Sequence, residues 1–193
     1  MSERIKLVVG LGNPGADYVS TRHNAGFWLV DELADRHGGR FTGERKFHGE
    51  ICKVFVGAHE VRLLKPMTFM NRSGQSVRAV MDFFKLRPEE ILVAHDELDL
   101  PPGVIRLKWS GGHGGHNGLR DLHAHVGKDY RRLRIGIGHP GHASGVVGYV
   151  LKRPSSEDEA RIREGIIAAA EALPAILDDG LEAGMNRLHT RTE

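Results

Sequence analysis

Five short segments of the chain collect uncharged amides and imidazoles in glycine-rich or apolar surroundings. They are Asn13 in GLGNPG, His23 and Asn24 in TRHNAGF, Asn71 in TFMNRSG, His95 and Asp96 in LVAHDELDLP, and His113, His116 and Asn117 in GGHGGHNGL. Histidine titrates near neutral pH and can take a proton from water. A buried carboxylate bonded to its other ring nitrogen orients the ring and stabilises the imidazolium. Asp96 is the candidate carboxylate. Asparagine amides can donate to a carbonyl oxygen as negative charge develops on it. Hydrolysis with a histidine base is the chemistry these residue types suggest. No G-x-S-x-G elbow is present. The single cysteine, Cys52, lies far from these segments in sequence and reads as a small, half-buried hydrophobe. Nothing therefore recommends a covalent serine or cysteine route.

Two rival readings use the same residues. His113 and His116, three apart, could ligate a metal with His23, His95 or Asp96, although a Gly-Gly spacer is poor preorganisation for two ligands. Gly10, Gly12 and Gly15 match the G-x-G-x-x-G dinucleotide fingerprint directly after a strand. That fingerprint needs a helix to begin inside the motif, with its N-terminus facing the pyrophosphate. Polar loop sequence follows instead, and Asp31, Glu32 and Asp35 lie on a later helix. The glycines are expected to turn the backbone tightly and expose Asn13. The reading is therefore no cofactor and no metal.

The elements that must position these segments alternate in type. Ile5 to Leu11 is β-rich and ends in glycines. Ala25 to His37 has helical apolar spacing and is stopped by Gly38 and Gly39. Glu50 to Val56 and Val61 to Leu64 read as strands around a Gly57–Glu60 turn, and Ser73 to Phe84 as a helix. Ile91 to Ala94 and Val104 to Trp109 read as strands, Gly118 to Val126 as a short helix and Leu133 to Ile137 as a strand. Ser156 and Glu159 form a capping box that opens a long helix, which Pro174 is expected to kink or interrupt. A final helix covers Leu181 to Leu188. The pattern predicts one α/β domain over residues 1–193, a three-layer αβα fold with a mostly parallel, mixed central sheet. Functional residues are expected in loops at the carboxyl ends of strands.

The chain has 193 residues, enough to bury a sizeable core. With 40% hydrophobic and 27% charged residues it reads as an ordinary globular chain. No apolar run approaches the ~20 residues of a membrane helix. The start, Met1 to Arg4, lacks the apolar stretch of a signal peptide. One cysteine allows no internal disulfide. Cytoplasm is the expected location. Net charge is only +2, but Val104 to Arg153 carries nine Lys or Arg against two acids, whereas Glu89 to Pro101 carries five acids and no Lys or Arg. Such asymmetry suits a basic face for a polyanion.

GLGNPG, TRHNAG, TFMN.SG, HDELDLP, GGHGGHNGL and RLRIGIGHP occur in the order and approximate spacing of bacterial-type peptidyl-tRNA hydrolases. The chain resembles that family over almost its whole length, and six separated motifs make the match specific. The resemblance implies a three-layer α/β enzyme that cuts the ester between a peptide and the 3′ end of tRNA. Such an enzyme rescues tRNA from prematurely released peptidyl-tRNA. It implies His23 as general base and Asp96 as its partner. Asn13 and Asn71 hold the peptide and ester end, with Asn71 near the reacting carbonyl. Asn117 helps position water, His116 lines the cleft, and Tyr18, Phe69 and Met70 shape it. Lys108 and Arg134 match the family's pair that grips the tRNA 5′-phosphate. The family works without a metal, is generally monomeric and needs no obligate protein partner. A non-catalytic RNA-binding relative of the same fold is the alternative. The full set His23, Asp96, Asn13, Asn71 and Asn117 favours the enzyme.

Overall fold

A computed structural model describes residues 4–189. The strands are β1 (Leu7–Gly10), β2 (Thr42–Glu44), β3 (Gly49–Val56), β4 (His59–Pro66), β5 (Ile91–Glu97), β6 (Ile105–Trp109) and β7 (Arg131–Gly136). The helices are α1 (Ala25–His37), α2 (Ser73–Phe84), α3 (Asn117–Val126), α4 (Val146–Val150), α5 (Ser156–Asp179) and α6 (Leu181–His189). All seven strands form one sheet in the order β2-β3-β4-β1-β5-β7-β6. Strands β4, β1, β5 and β7 run parallel, while β3 and β6 run against them.

Strand alternation builds the layers. Leu92 and Ala94 of β5 face one core, with α1 and α5, while Ile91 and Val93 face the other, with α2 and α3. Helices on both faces of one sheet make the expected αβα sandwich. The chain leaves β1 through α1 toward β2, β3 and β4 and leaves β5 toward β6 and β7 on the other side, so the topological switch point, where α/β sheets open a crevice, lies between β1 and β5. On β7, Leu133 and Ile135 join the α1/α5 core, but Arg132 and Arg134 take the opposite face. Paired with them across the ladder are Lys108 and Arg106 of β6. This end of the sheet is thus apolar on one face and cationic on the other.

The long helix departs from expectation in two ways. Its cap is Ser155, whose side chain accepts from the Asp158 N–H at 3.1 Å, one residue before the expected Ser156. It also runs through Pro174 unbroken to Asp179. Proline removes one helical hydrogen bond, yet Ala169, Ala170 and Leu173 before it and Ile176 and Leu177 after it are all buried. Packing on both sides holds the turn that proline weakens. The β3–β4 turn is also tighter than expected, because β4 already begins at His59. Strand β2 and helix α4 carried no expectation. Among the described residues, no helix is long and apolar enough to cross a membrane.

The glycine motif at β1 serves packing. A Cβ on Gly10 would lie 2.1 Å from the Gly26 carbonyl oxygen, and one on Gly12 would meet the Phe27 ring at 2.7 Å. Helix α1 therefore crosses β1 at backbone contact, and it begins only at Ala25. Gly15, with φ +105°, supplies the turn. The geometry of a pyrophosphate cradle is absent from this loop. Asn13 is not exposed as expected: it is buried, with an edge in a cleft.

Candidate active site

Asp96 sits at the carboxyl end of β5 and is 3% exposed. Both of its oxygens are taken. His23 Nδ1 lies 2.8 Å from Oδ2, and His116 Nε2 lies 2.8 Å from Oδ1. The second contact can be assigned a proton. His116 is the N-cap of α3, and its Nδ1 accepts from the Gly118 and Leu119 N–H groups at 3.1 and 3.3 Å. Nδ1 must then carry a lone pair, so Nε2 carries the proton and donates to Asp96. His23 donates through Nδ1 to the other oxygen. Its Nε2 has no hydrogen-bond partner among the described residues, and the ring lines the cleft.

The electrostatics follow from this geometry. Burial alone would raise the Asp96 carboxyl, but the two imidazoles bonded to it outweigh burial and hold it well below the usual carboxylate range. Burial lowers His23, and the charge and hydrogen bond of Asp96 reverse that, so its pKa is raised above 6.5. His95 behaves differently. Full burial, aided by His116, brings it down to about 3. It is a neutral ring whose Nδ1 bonds the Asp96 carbonyl oxygen at 2.9 Å.

Asn13 is held by Asn24, whose amide accepts from the Asn13 N–H and donates to the Asn13 carbonyl, both at 2.9 Å. The Met70 N–H donates to Asn13 Oδ1 at 2.7 Å. With its oxygen committed to a donor, the amide presents its N–H₂ edge elsewhere. Asn71 is exposed on the single 3₁₀ turn Met70–Arg72 that precedes α2. Asn117 opens α3, and its Oδ1 accepts from Arg120 at 3.2 Å. Asn13, Tyr18, His23, Phe69, Met70, Asn71, Asp96, His116 and Asn117 all line a single cleft of about 310 Å³. Tyr18 and Phe69 meet edge to face, with centroids 6.3 Å apart. The structure thus brings together every cleft residue expected from sequence.

Lys108 and Arg134 do not reach this cleft. They line a neighbouring cavity of about 120 Å³ with Arg132, His113, Glu97 and Asp99. Arg134 Nε donates to Glu97 Oε1 at 2.9 Å, and Lys108 is exposed. The acidic stretch therefore runs beside the basic one and tempers it.

Sequence reasoning missed three supports. Asn24 stood in a singled-out segment, but its grip on Asn13 depends on two loops meeting. Helix α4 and the Leu151 that follows it supply the apolar wall Val146, Val147, Val150 and Leu151; the run GVVGYVL was its signal. Arg22 fastens that wall to the His23 turn, with its guanidinium 3.8 Å from the Tyr149 ring centroid and a bond to the Tyr149 carbonyl at 2.9 Å.

His23, Asp96 and His116 are also the one cluster of metal-ligating side chains among the described residues, their ligand atoms lying within 4.8 Å of one another. The donor set is poorly suited to an ion. Each imidazole nitrogen already sits at hydrogen-bond length from a separate oxygen of one carboxylate, and the His116 Nε2 carries a proton.

The fold and cleft define an α/β protein with a histidine–carboxylate centre at the carboxyl ends of its strands. Comparison with known proteins gives the family. A family model described as peptidyl-tRNA hydrolase matches residues 7–193. A peptidyl-tRNA hydrolase of Neisseria meningitidis serogroup A is 53% identical over 192 residues, covering 99% of this chain and 100% of its own. One from Halorhodospira halophila is 52% identical, covering 95% of each. The crystal structure of peptidyl-tRNA hydrolase from Acinetobacter baumannii superposes with a TM-score of 0.92 at 51% identity, covering 95% of this chain and 94% of that one. The chain belongs to the peptidyl-tRNA hydrolase family.

Proposed function

We propose that the cleft hydrolyses the ester linking a peptide to the 3′ end of tRNA, with His23 as general base and without a covalent intermediate. The observation that carries this reading is the His23–Asp96 pair. Nδ1 is fixed on the carboxylate, and Nε2 is left open to the cleft. Water bound at Nε2 gives up a proton as its oxygen attacks the ester carbonyl. The imidazolium that forms is stabilised by ionised Asp96. Asn71 and Asn13 offer amide N–H groups to the carbonyl oxygen as it gains charge, and Asn117 positions the water. Collapse breaks the bond to the tRNA 3′ oxygen, which takes its proton from His23. The products are a peptide carboxylic acid and tRNA with a free 3′-hydroxyl.

Covalent catalysis by cysteine is disfavoured. Burial pushes the Cys52 thiol up to about 11, and the thiolate is the nucleophile. The hydrogen bonds that His23 and His116 already make to separate oxygens of Asp96 support metal-free chemistry. Phe69, Tyr18 and the α4 valines form an apolar wall for side chains or bases. Lys108 and Arg134 grip the tRNA 5′-phosphate, which lies beside the 3′ end across the acceptor stem. All these groups come from one chain, which suits a monomer, and the substrate places the enzyme in the cytoplasm, rescuing tRNA from prematurely released peptidyl-tRNA. The test is release of N-acetyl-amino acid from N-acetyl-aminoacyl-tRNA in the presence of EDTA. Undiminished release is expected. Activity that falls with EDTA and returns with a divalent ion overturns the metal-free reading. Tight tRNA binding without release leaves a binding protein.

A further inference from the structure

Glu97 is the one residue, among the described ones, that lines both the catalytic cleft and the cationic cavity beside it. It follows Asp96 directly on β5. Its carboxylate is held at both oxygens: Oε1 accepts from Arg134 Nε at 2.9 Å, and Oε2 lies 3.5 Å from the Asp99 N–H. Both side chains of the ion pair are about four-fifths buried, at 24% and 21% exposure. Such a pair is screened far less than a surface one.

The contact uses one edge of the guanidinium only. Arg134 reaches Glu97 through Nε, and its two terminal amino groups have no other hydrogen-bond partner among the described residues. Those groups belong to a side chain lining the cavity that Lys108 and Arg132 also line. Guanidinium is a planar fork. Fixing it at Nε sets the plane and direction of the remaining N–H groups. An unanchored arginine would sample several rotamers at an entropic cost when it bound.

We propose that Glu97 is a positioning residue for phosphate recognition. It aims the terminal N–H groups of Arg134 into the cavity and fixes that cavity to the strand that carries Asp96. The 5′-phosphate is thereby registered against the scissile ester by two consecutive residues of one strand. The role rests on the reading of Lys108 and Arg134 as the 5′-phosphate clamp. An electrostatic alternative makes the opposite forecast: a carboxylate beside a phosphate site would repel the ligand, and removing it would tighten binding.

The test compares KM for tRNA substrates with and without the 5′-phosphate in four proteins: wild type, Glu97→Ala, Glu97→Gln and Arg134→Ala. Glu97→Ala should raise KM for the phosphorylated substrate several-fold and shrink the preference for it, with the effect on KM and not on kcat. Glu97→Gln keeps an acceptor for Nε and should retain most of the preference. Arg134→Ala should lose it, and adding Glu97→Ala to that variant should change little further. If Arg134→Ala loses the preference while Glu97→Ala keeps it or binds more tightly, the positioning role is wrong and the clamp stands. If Arg134→Ala discriminates as wild type does, the clamp reading fails and the role of Glu97 goes with it.

Discussion

The histidine–carboxylate centre and the cationic cavity are neighbours built on opposite plans. In the centre, Asp96 and His23 are buried, and of the ring nitrogens and carboxylate oxygens of His23, Asp96 and His116 only His23 Nε2 is left open among the described residues. In the cavity, Lys108 is exposed and the ends of Arg134 are open. Proton transfer needs one defined proton on one defined atom, and a hydrogen-bond network in a low-dielectric setting supplies it. Gripping a phosphate needs charge and several donors, and solvent access costs it little. The contrast forecasts that changes in the centre act on turnover and changes in the cavity act on affinity.

The largest effect should come from His23→Ala, which removes the proposed base. General-base catalysis typically contributes ~10²–10⁴-fold, so kcat should fall by that order while tRNA binding, measured by filter retention, survives. A loss of less than about threefold would take the base role from His23.

Asp96→Asn comes next. The change leaves a neutral amide where His23 and His116 meet an ionised carboxylate. Because Asp96 is what raises His23 above 6.5 against the effect of burial, the variant should shift the acid limb of the pH profile. The base works when deprotonated. Wild-type kcat/KM should therefore fall as pH drops through a midpoint above 6.5, and the variant's midpoint should move to lower pH with a lower plateau. An unmoved midpoint would separate the two residues. In the double variant the losses should not multiply, since the pair acts as a unit.

Asn71→Ala should cost on the order of 3 kcal/mol in the transition state, roughly a hundredfold in kcat, with KM little changed. Among the described residues the exposed Asn71 side chain has no hydrogen bond to lose, which makes the measurement clean. Unchanged kcat with raised KM would make it a ground-state contact instead.

What the sequence could reveal follows the same division. Helix α1 was legible to its last residue because periodic apolar positions end at Gly38, whose φ of +72° is the left-handed cap. The site residues were legible as types in segments, since amides and imidazoles in glycine-rich loops are costly to keep without a use. Their partnerships were not. His116 could be read as lining a cleft, but its role as both α3 cap and second donor to Asp96 depends on a 20-residue separation closing in space. Arg132 looked like one more basic residue, yet it is fully buried and donates to the Gly111 and Gly112 carbonyls, tying down the loop that delivers His116. Alternation along β7 could place its side chain on a face; it could not say that loop carbonyls would meet it there. Pro174 misled because propensity is local and the packing that overrides it is not.

The smallest effect should come from Lys108→Ala, and it is the sharpest probe of the cavity. Lys108 lies at the edge strand with its ammonium over Gly111, where a Cβ would sit only 2.8 Å from Nζ. Glycine at that position leaves room for the lysine to lie across the loop. Among the described residues no acid pairs with it, whereas Glu97 occupies one edge of Arg134. On the clamp proposal, Lys108 is therefore the cation whose charge a ligand phosphate meets most directly. Each phosphate neutralised releases condensed counterions, and the loss of one contact lowers the salt slope by about one. Lys108→Ala should raise KM several-fold at low salt, and the gap to wild type should narrow as salt rises, with kcat at saturation nearly intact. Lys108→Arg should restore the slope. A variant that lowered kcat at unchanged KM would place Lys108 in the chemistry, and the division of labour between the two regions would fail at its most exposed point.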